Sequence, residues 1–505
     1  MFNSFPLLLE KKIYLFAFSL ILFFIASIGP PNVQVLHIFE TFKIPELIKL
    51  YNESESFFRM PDTRTRFILY FISILTFLSI IFLPSKSTKD ISHNRIIRVL
   101  IYIFLLTILS TNSLYNYSAI LLILYSIYYL IFYSSRQYTK KEIILMSSYF
   151  ILYFIPFVHA LYFHTSLSET DNYLRFLLVI PLYILIREID LDIYEFMNIL
   201  YISSIVIGIT AFYFLLTDNL TQLRGFTSSS TIFGNISFLF AMMSILSFNY
   251  YIKFNKNYLL PSLAILLSLF AWTLTASRGP LIALIFISIF YLLKYPKISF
   301  KVLFPRVFII LMLFITTLII FSNIPNRISQ AYYSTYNYVF DDKSHTWKQK
   351  DSLIPRYIIW EGSAIMIKKN TFTGVGLNNF NLELNKLITN KSIPPVRNDL
   401  NNPTAGMNHA HNQYLDIFAK TGIFGFLSLL FFLIMNFYNF KDGLKHKNED
   451  CEYFAMIGLT IIIVYSSYMF THTILSHQQS TLFMTVLLTI ISGLMTNKIN
   501  NKKQI

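Results

Sequence analysis

The sequence has few charged residues and almost no cysteine, and each shortage excludes a class of protein. Only 13% of the 505 residues are charged, whereas 55% are hydrophobic, and the mean hydropathy is +0.54. A soluble protein would carry about a quarter charged residues, so a soluble globular fold is excluded. The single cysteine, Cys451, cannot form an intramolecular disulfide. Any external loop must therefore be held by packing and hydrogen bonds.

Apolar runs long enough to cross a bilayer recur along the whole chain. Each has about 17–22 residues, and a hydrocarbon core of about 30 Å needs about 20. We therefore predict an all-α polytopic membrane protein with about 12–14 transmembrane helices. The first run follows Lys11 and Lys12 and is interpreted as an uncleaved span. The predicted spans centre on Phe18, Ser73, Phe104, Leu124, Leu152, Val179, Val206, Phe240, Ile265, Phe286, Leu313, Leu430, Ile463 and Leu487.

The net charge of +15 could suggest nucleic acid as a partner, but the distribution of the cations argues against it. Lysines and arginines concentrate in alternate loops and in the C-terminal tail, which the positive-inside rule places, with both termini, in the cytoplasm. This topology predicts three regions. They are a membrane bundle over 1–321 with about 11 spans, a mostly helical external loop over 322–412 between the eleventh and twelfth spans, and about 3 membrane helices with a short basic tail over 413–505.

The external loop ends in a polar motif, His409-Ala-His411-Asn412-Gln-Tyr414-Leu, immediately before an apolar run. Imidazole titrates near neutral pH, so such a group can transfer protons. The alternative is a polar cap on a helix that leaves the bilayer. Two histidines without a carboxylate or cysteine at ligand spacing do not indicate a metal, and neither Asp341-Asp342 nor Asp190-Leu-Asp192 supplies a supporting ligand set. We predict no metal and no other cofactor.

Three arginines are predicted on the same outer face as His411. Arg224 lies in a hydroxyl-rich turn, Arg278 lies between two apolar runs, and Arg356 lies in the external loop four residues before Trp360. An arginine close to hydrocarbon is costly unless it faces a polar cavity or a partner. Guanidinium groups bind phosphate oxygens bidentately, so the set could hold a lipid diphosphate. The alternatives are snorkelling to head groups for Arg278 and solvated loop charges for Arg224 and Arg356.

These residues resemble the O-antigen ligase/polymerase superfamily of bacterial membrane glycosyltransferases. The matching elements cover about the C-terminal half. They are Ser277-Arg278-Gly279, Arg356-Tyr-Ile-Ile-Trp360, Gly374-Val-Gly376 with Phe380, and His411-Asn412-Gln-Tyr414-Leu415 followed by Gly422-Ile-Phe-Gly425. The resemblance implies an inverting, metal-independent transfer of a glycan from undecaprenyl diphosphate to an acceptor hydroxyl. It places the protein in the bacterial inner membrane with its active site facing the periplasm.

The resemblance also assigns roles to particular residues. His411 would be the catalytic base, Arg278 and Arg356 would bind diphosphate, and Arg224 would be a supporting contact to it. Asn412, Tyr414, His409 and Trp360 are supporting residues. Arg175 joins them because Asp171-Asn172-Tyr-Leu-Arg175 is similar to the ligase pattern.

Several functions remain open at this stage. A ligase would join O-antigen to lipid A-core, whereas a polymerase would join one lipid-linked repeat unit to another. We favour the ligase, although about 14 spans exceed the 12 usual for ligases. A protein O-oligosaccharyltransferase is disfavoured because little sequence follows the histidine motif. A lipid-linked glycan flippase is disfavoured because matching halves are not evident and the polar cluster is superficial. His159, a mid-membrane candidate, is interpreted as hydrogen-bonded packing.

Overall fold

The computed structural model describes residues 91–132, 138–165, 167–217, 222–254, 258–294, 332–333, 335–336, 353–397, 403–404 and 406–501. Within these ranges the regular structure is entirely helical, as predicted. The α-helices are α1 (Ile91–Thr107), α2 (Leu114–Phe132), α3 (Lys140–Tyr162), α4 (Asp171–Ile186), α5 (Ile193–Thr217), α6 (Ser230–Phe254), α7 (Leu259–Leu274), α8 (Gly279–Lys294), α9 (Ile354–Lys369), α10 (Phe380–Thr389), α11 (Gln413–Gly443), α12 (Glu449–Tyr468) and α13 (Gln478–Asn501).

Six of these helices are long and apolar enough to cross a membrane, namely α3, α5, α6, α11, α12 and α13. The shorter α2, α7 and α8 are also apolar. Every predicted span that falls in the described ranges is therefore a helix. The spans predicted around Phe18, Ser73 and Leu313 lie outside the described residues, and the division at residues 321 and 412 stays a prediction.

The bundle is centred on α13, which packs against α4 and α12 and is buried along most of its length. Several of its buried hydroxyls bond to its own backbone, as when Thr485 Oγ1 donates to the Thr481 carbonyl at 2.9 Å. Ser237 in α6 does the same with Phe233 at 2.7 Å. A buried hydroxyl that returns its proton to the preceding turn needs no water. Helices can therefore pack closely at such positions without leaving these donors unpaired.

One end of the bundle is fastened by ion pairs. Arg187 Nη1 lies 2.5 Å from Glu142 Oε1, with both side chains buried, and Lys498 Nζ lies 2.8 Å from Asp190 Oδ1. A buried pair whose partners satisfy each other is costly to break, because removal of one charge leaves the other uncompensated. This end corresponds to the side that the charge pattern predicts to be cytoplasmic. The histidine motif lies at the opposite end of α11.

The described part of the predicted external loop, which we call the external segment, packs on the first turns of α11. Its core contains Ile358 and Ile359 of α9, Leu384 of α10 and Ala419 of α11. Gly362 permits the close approach of α9 to α10, since a Cβ there would lie 2.8 Å from Leu384 Cδ1. The prediction of short helices in this loop is confirmed for the described part.

The segment that precedes α10 forms hydrogen bonds with α11 where that helix is broken. Gly422 has φ 68° and ψ −166°, which interrupts the helix and leaves carbonyls before it without helical partners. The N–H of Val375 donates to the Ala419 carbonyl at 2.9 Å, and the N–H of Gly376 donates to the Lys420 carbonyl at 3.0 Å. The segment that contains Val375 and Gly376 therefore pairs with the broken helix.

His159 of α3 also binds this segment. Its Nε2 lies 2.5 Å from the carbonyl oxygen of Thr373. The interpretation of His159 as hydrogen-bonded packing is thus confirmed. Its position argues for a structural role in holding the external segment against the bundle.

Candidate functional site

The histidine motif is held in place through the residue between its two histidines. The N–H of Ala410 donates to Asp416 Oδ1 at 2.9 Å, and the carbonyl of Ala410 accepts from Trp360 Nε1 at 2.9 Å. Asn412 caps α11, since its side-chain oxygen accepts from the N–H groups of Tyr414 and Leu415 at 3.0 and 3.1 Å. The loop is therefore attached to both α9 and α11.

His411 has an unusual backbone conformation within this loop. Its φ is 51°, in the left-handed region that residues other than glycine seldom adopt. The ring is half-buried, and its Nδ1 is buried without a hydrogen-bond partner among the described residues. Backbone strain and an unsatisfied polar atom concentrate at functional sites, so both features mark His411 as a candidate.

Four of the ten histidines of the chain meet at this end of the bundle. We call His409, His411, His472 and His477 the histidine cluster. The ring centroids of His409 and His411 are 4.3 Å apart and nearly perpendicular, and those of His409 and His477 are 6.1 Å apart. His472 and His477 are 4.6 Å apart. The cluster thus joins the end of the external loop to the connection between α12 and α13.

Gln413 fixes these two segments relative to each other. Its backbone N–H donates to the Met469 carbonyl at 2.7 Å, and its side-chain Oε1 accepts from the N–H of Leu475 at 2.8 Å. The side chain is fully buried, so water does not compete for these bonds. Tyr414 adds a bond from its hydroxyl to the Ser466 carbonyl at 3.0 Å. Tyr414 and Asn412 therefore act here as anchors of the loop.

The turn that carries Arg278 packs beside the same connection. A Cβ at Gly279 would lie 3.3 Å from Thr471 Oγ1, the residue before His472, and 3.3 Å from Asn235 Oδ1. Ala276 has φ 52°, and Trp272 Nε1 donates to the Ser277 carbonyl at 3.2 Å. Glycine at 279 thus lets the Arg278 turn approach the histidine cluster closely.

Arg356 lies in the first turn of α9, close enough to both Arg278 and the cluster for their charges to interact. Burial lowers the pKa of Arg356, and the positive charge of Arg278 lowers it further. Two guanidinium groups repel each other, and an anion bound to both would reduce that repulsion. The charges of Arg278 and Arg356 therefore lie close enough to act on each other.

The environment keeps the motif histidines neutral. Burial lowers the pKa of His411 to about 3, with smaller contributions from His409, Arg356 and His477, while Asp416 acts in the opposite direction. Burial likewise lowers the pKa of His409 to about 4, assisted by the charge of Lys420. A neutral imidazole can accept a proton, and permanent cations beside it can stabilise an anion. The arrangement suits transfer chemistry on a phosphorylated substrate.

Two of the predicted residues, Arg224 and Arg175, have their described contacts with residues other than the histidines. Arg224 is exposed in the turn before α6, where the N–H of Leu223 donates to the Leu274 carbonyl at 3.2 Å. Arg224 thus lies near the Arg278 turn, but no described contact brings it to the cluster. Arg175 bonds to Asn172 Oδ1 within α4. The described contacts give Arg175 a local partner and no direct link to His411.

Sequence reasoning missed His472 and His477. The signal that could have found them is the segment Thr471-His472-Thr473 to His477-Gln478-Gln479 between the last two apolar runs. Charge topology places this segment on the same face as His411. Across the described ranges, no group of three or more histidine, cysteine, aspartate or glutamate side chains has an arrangement that could hold a metal ion.

Fold and site together define a multi-pass, all-helical membrane protein with a polar, cationic site at one end of its bundle. A family model described as O-antigen ligase matches residues 263–430. The region runs from α7 into α11 and contains Arg278, Arg356 and His411. The chain therefore carries the domain of the O-antigen ligase-like superfamily, and the resemblance predicted from its motifs is confirmed.

The chain is also similar to an uncharacterized protein of Haemophilus influenzae. The two are 25% identical over 394 residues, which cover 77% of this chain and 95% of the relative. The similarity extends well beyond the ligase domain, so it is consistent with a shared arrangement over most of the membrane bundle. The family supports O-antigen ligase-type activity in general, on lipid-linked glycans in a membrane.

Proposed function

We propose that the protein transfers a glycan from undecaprenyl diphosphate to an acceptor hydroxyl at the periplasmic face of the inner membrane. The observation that carries the proposal is the juxtaposition of neutral His411 with Arg356, which itself lies in the electrostatic field of Arg278. Such a site combines a proton acceptor with fixed positive charge. Both are needed when a hydroxyl displaces a diphosphate.

In the proposed step, the acceptor oxygen attacks the anomeric carbon of the donor sugar while His411 takes the hydroxyl proton. The bond from the anomeric carbon to the diphosphate oxygen breaks, and its electron pair leaves with the diphosphate. Arg278 and Arg356 bind that diphosphate and stabilise its growing negative charge. Attack opposite to the leaving group inverts the anomeric centre. The step requires no metal, because two permanent cations supply the electrostatic stabilisation.

The remaining predicted residues have supporting roles in this proposal. Trp360, Asn412 and Tyr414 hold the loop that carries His411, and His409 contacts its ring. Arg224 extends positive charge along the face that carries Arg278. Arg175 stays in the supporting set because its motif is similar to the ligase pattern. The charge pattern supports cytoplasmic termini and the three regions 1–321, 322–412 and 413–505.

We favour O-antigen ligase, with lipid A-core as acceptor, over a polymerase that would use a second lipid-linked glycan. The deciding experiment is electrophoresis of lipopolysaccharide from a deletion strain. Lipid A-core with unattached polymer identifies a ligase, and core bearing a single repeat unit identifies a polymerase. Unchanged glycans in the deletion strain would contradict both assignments.

The role of His411 is tested by complementation of the deletion strain. We expect His411→Ala to lower transfer by about 100- to 10,000-fold, the usual contribution of a general base, while the protein remains in the membrane fraction. His446→Ala is the matched control, because His446 is exposed in the connection between α11 and α12. Near-normal transfer by His411→Ala, at equal abundance, would contradict the proposed mechanism.

A further inference from the structure

We infer that His477 is a further residue of the transfer site, which receives through His409 the proton that His411 takes from the acceptor hydroxyl. This inference rests on the proposed function, because it concerns the path of the proton after that reaction. It is carried by the geometry of the histidine cluster. The chain brings His477 there from a segment that lies 66 positions after His411 in the sequence.

The order of the rings defines the path. His411 contacts His409 with centroids 4.3 Å apart, and His409 contacts His477 with centroids 6.1 Å apart. The first pair is nearly perpendicular, at 83°, and the second is at 66°. An edge-on approach directs the rim of one imidazole, where its nitrogens lie, at the face of the next ring. Rotation of one ring about its side-chain torsions is then the movement that places two nitrogens within hydrogen-bond reach.

A backbone hydrogen bond orients His409 within this path. Its Nδ1 accepts from the backbone N–H of His411 at 3.4 Å. A neutral imidazole that accepts at Nδ1 carries its proton on Nε2. At rest the Nδ1 lone pair of His409 is held by this long bond, and a donor nitrogen lies on the other side of the ring. When the ring rotates out of that bond, a proton from His411 can enter at Nδ1 while the Nε2 proton leaves, which moves one charge across the ring.

The surroundings of His411 disfavour a proton on its ring. Burial and the charge of Arg356 both disfavour an imidazolium at His411, which is why its pKa is low. The acquired proton must therefore move away before the next turnover. The titratable and charged groups that act on the cluster come from α9, α11, the Arg278 turn and the α12–α13 connection; they are Arg278, Arg356, His409, His411, Asp416, Lys420, His472 and His477.

Within this set His477 is the suitable terminus, and His472 is not. The pKa of His477 is lowered by burial, with no resolved contribution from a neighbouring cation, whereas Arg356 contributes to the lowered pKa of His409, His411 and His472. His472 is only 5% exposed, whereas His477 is half-buried. A charge therefore costs less on His477, from which the proton passes to water. His472, with its ring 4.6 Å away, holds the His477 ring in position.

The proposed sequence balances. The acceptor O–H proton moves to His411 as the new glycosidic bond forms. His411 then returns to neutral by giving a proton to His409 Nδ1, while the Nε2 proton of His409 passes to His477. His477 releases a proton to water at the outer face. Each histidine ends as a neutral ring, and His409 exchanges its Nδ1 proton with water for one on Nε2 before the next turnover. The net products are the glycosylated acceptor, the lipid diphosphate and one proton.

The test uses full-length protein in detergent with a lipid-linked glycan donor and lipid A-core acceptor. We expect His477→Asn to lower kcat by about 10- to 100-fold, as for loss of a proton-transfer group. The KM for the donor should stay within about twofold, because His477 does not bind it. Imidazole added to the buffer should restore a substantial part of kcat, since a free base can carry away the proton. His477→Gln serves as a second variant if His477→Asn is not recovered from the membrane.

The control is His164→Asn, which changes an exposed histidine just after α3. Asparagine tolerates the positive φ of 51° at that position, so this variant should behave as wild type with or without imidazole. Wild-type kcat in His477→Asn and His477→Gln would overturn the inference. So would a loss that imidazole does not reverse and that leaves the pH profile unchanged, because that is the result of a structural role. Full activity in His411→Ala would instead overturn the proposed function itself.

Discussion

The indole Nε1 of Trp360 donates a hydrogen bond of 2.9 Å to the carbonyl of Ala410, the residue between the two motif histidines. Trp360 lies four residues after Arg356 in α9, so both side chains project from the same face of that helix. One helix face therefore carries a guanidinium of the site and the anchor of the histidine loop. The four-residue spacing of Arg356 and Trp360 therefore couples the two, because displacement of α9 would move both.

The first prediction concerns this anchor. Trp360→Phe keeps an aromatic ring but removes the donor to Ala410. One such bond is worth about 0.5–1.5 kcal/mol, so we expect kcat to fall about 2- to 10-fold with little change in protein abundance. Tyr357→Phe is the control, since the Tyr357 hydroxyl lies 2.9 Å from Thr335 Oγ1, outside the histidine loop. Equal activity in Trp360→Phe and Tyr357→Phe would show that the hydrogen bond from Trp360 to Ala410 does not contribute to catalysis.

The second prediction separates the charge of Arg356 from its shape. Arg356→Lys should lower kcat/KM for the donor by about 10- to 100-fold, because an ammonium cannot reproduce bidentate phosphate contacts. Arg356→Gln should be at least as harmful. It should also raise the pKa of His411, since Arg356 is one of the groups that lower it. The measurement is the pH dependence of kcat/KM, whose acid limb should move upward in Arg356→Gln and stay in place in Arg356→Lys.

A third prediction follows from the neutral state of His411. The base is active when deprotonated, so activity falls as the pH falls through its pKa. For the free protein that pKa is about 3, whereas the ordinary value is 6.5. A bound diphosphate offsets the charge of Arg356 and raises the pKa. The acid limb of kcat should therefore lie at higher pH than that of kcat/KM, because the two report the complex and the free protein respectively. Coincident acid limbs would show that the donor does not affect His411.

The break in α11 allows a matched pair of glycine variants. Gly422 and Gly406 have φ of 68° and 66°, but a Cβ at Gly422 would lie 2.1 Å from the Phe372 carbonyl oxygen, while a Cβ at Gly406 would meet no atom of the described residues within 4 Å. Gly406→Ala should cost only the left-handed conformation, about 1–2 kcal/mol. Gly422→Ala carries that cost and a backbone clash. In detergent, we expect the melting temperature of Gly422→Ala to lie well below that of Gly406→Ala. Similar melting temperatures in the two variants would contradict the break.

The orientation in the membrane can be tested with introduced cysteines. The single native cysteine, Cys451, is buried and should not react with a maleimide. Lys368→Cys, at the exposed end of α9, should react with an impermeant maleimide in intact spheroplasts. Lys447→Cys, in the exposed connection before α12, should react only after lysis. The reverse pattern would invert the proposed topology and place His411 in the cytoplasm.

The helices were predictable because their cause is local. Apolar runs such as those around Leu152 and Val206 must satisfy their backbone within the segment in a bilayer, and only a helix does so. The placement of Arg278 on the same face as His411 was predicted from alternating charge, which is also a local signal. The proposed roles in catalysis came from the family motifs. Without them, the histidine motif could be a polar helix cap and Arg278 could snorkel to head groups.

The histidine cluster was not predictable in full because it depends on long-range packing. His472 and His477 reach His409 through the bonds of Gln413 to Met469 and Leu475, and no spacing rule foretells such bonds. The same holds for the pairing of Val375 with Ala419, which requires the break at Gly422. Arg224 lies in a turn bonded to the end of α7, near the Arg278 turn, and its supporting role stays a prediction.

The break at Gly422 divides α11 into two rods with different packing partners. The rod over residues 413–421 is bonded to the external segment through the carbonyls of Ala419 and Lys420, and it begins two residues after His411. The longer rod after Gly422 is the part of α11 that we expect to cross the bilayer. Hydrophobic helices adjust their tilt to membrane thickness. We expect the break at Gly422 to keep that adjustment out of the shorter rod, so that α9 and α10, rather than the bilayer, determine the position of His411.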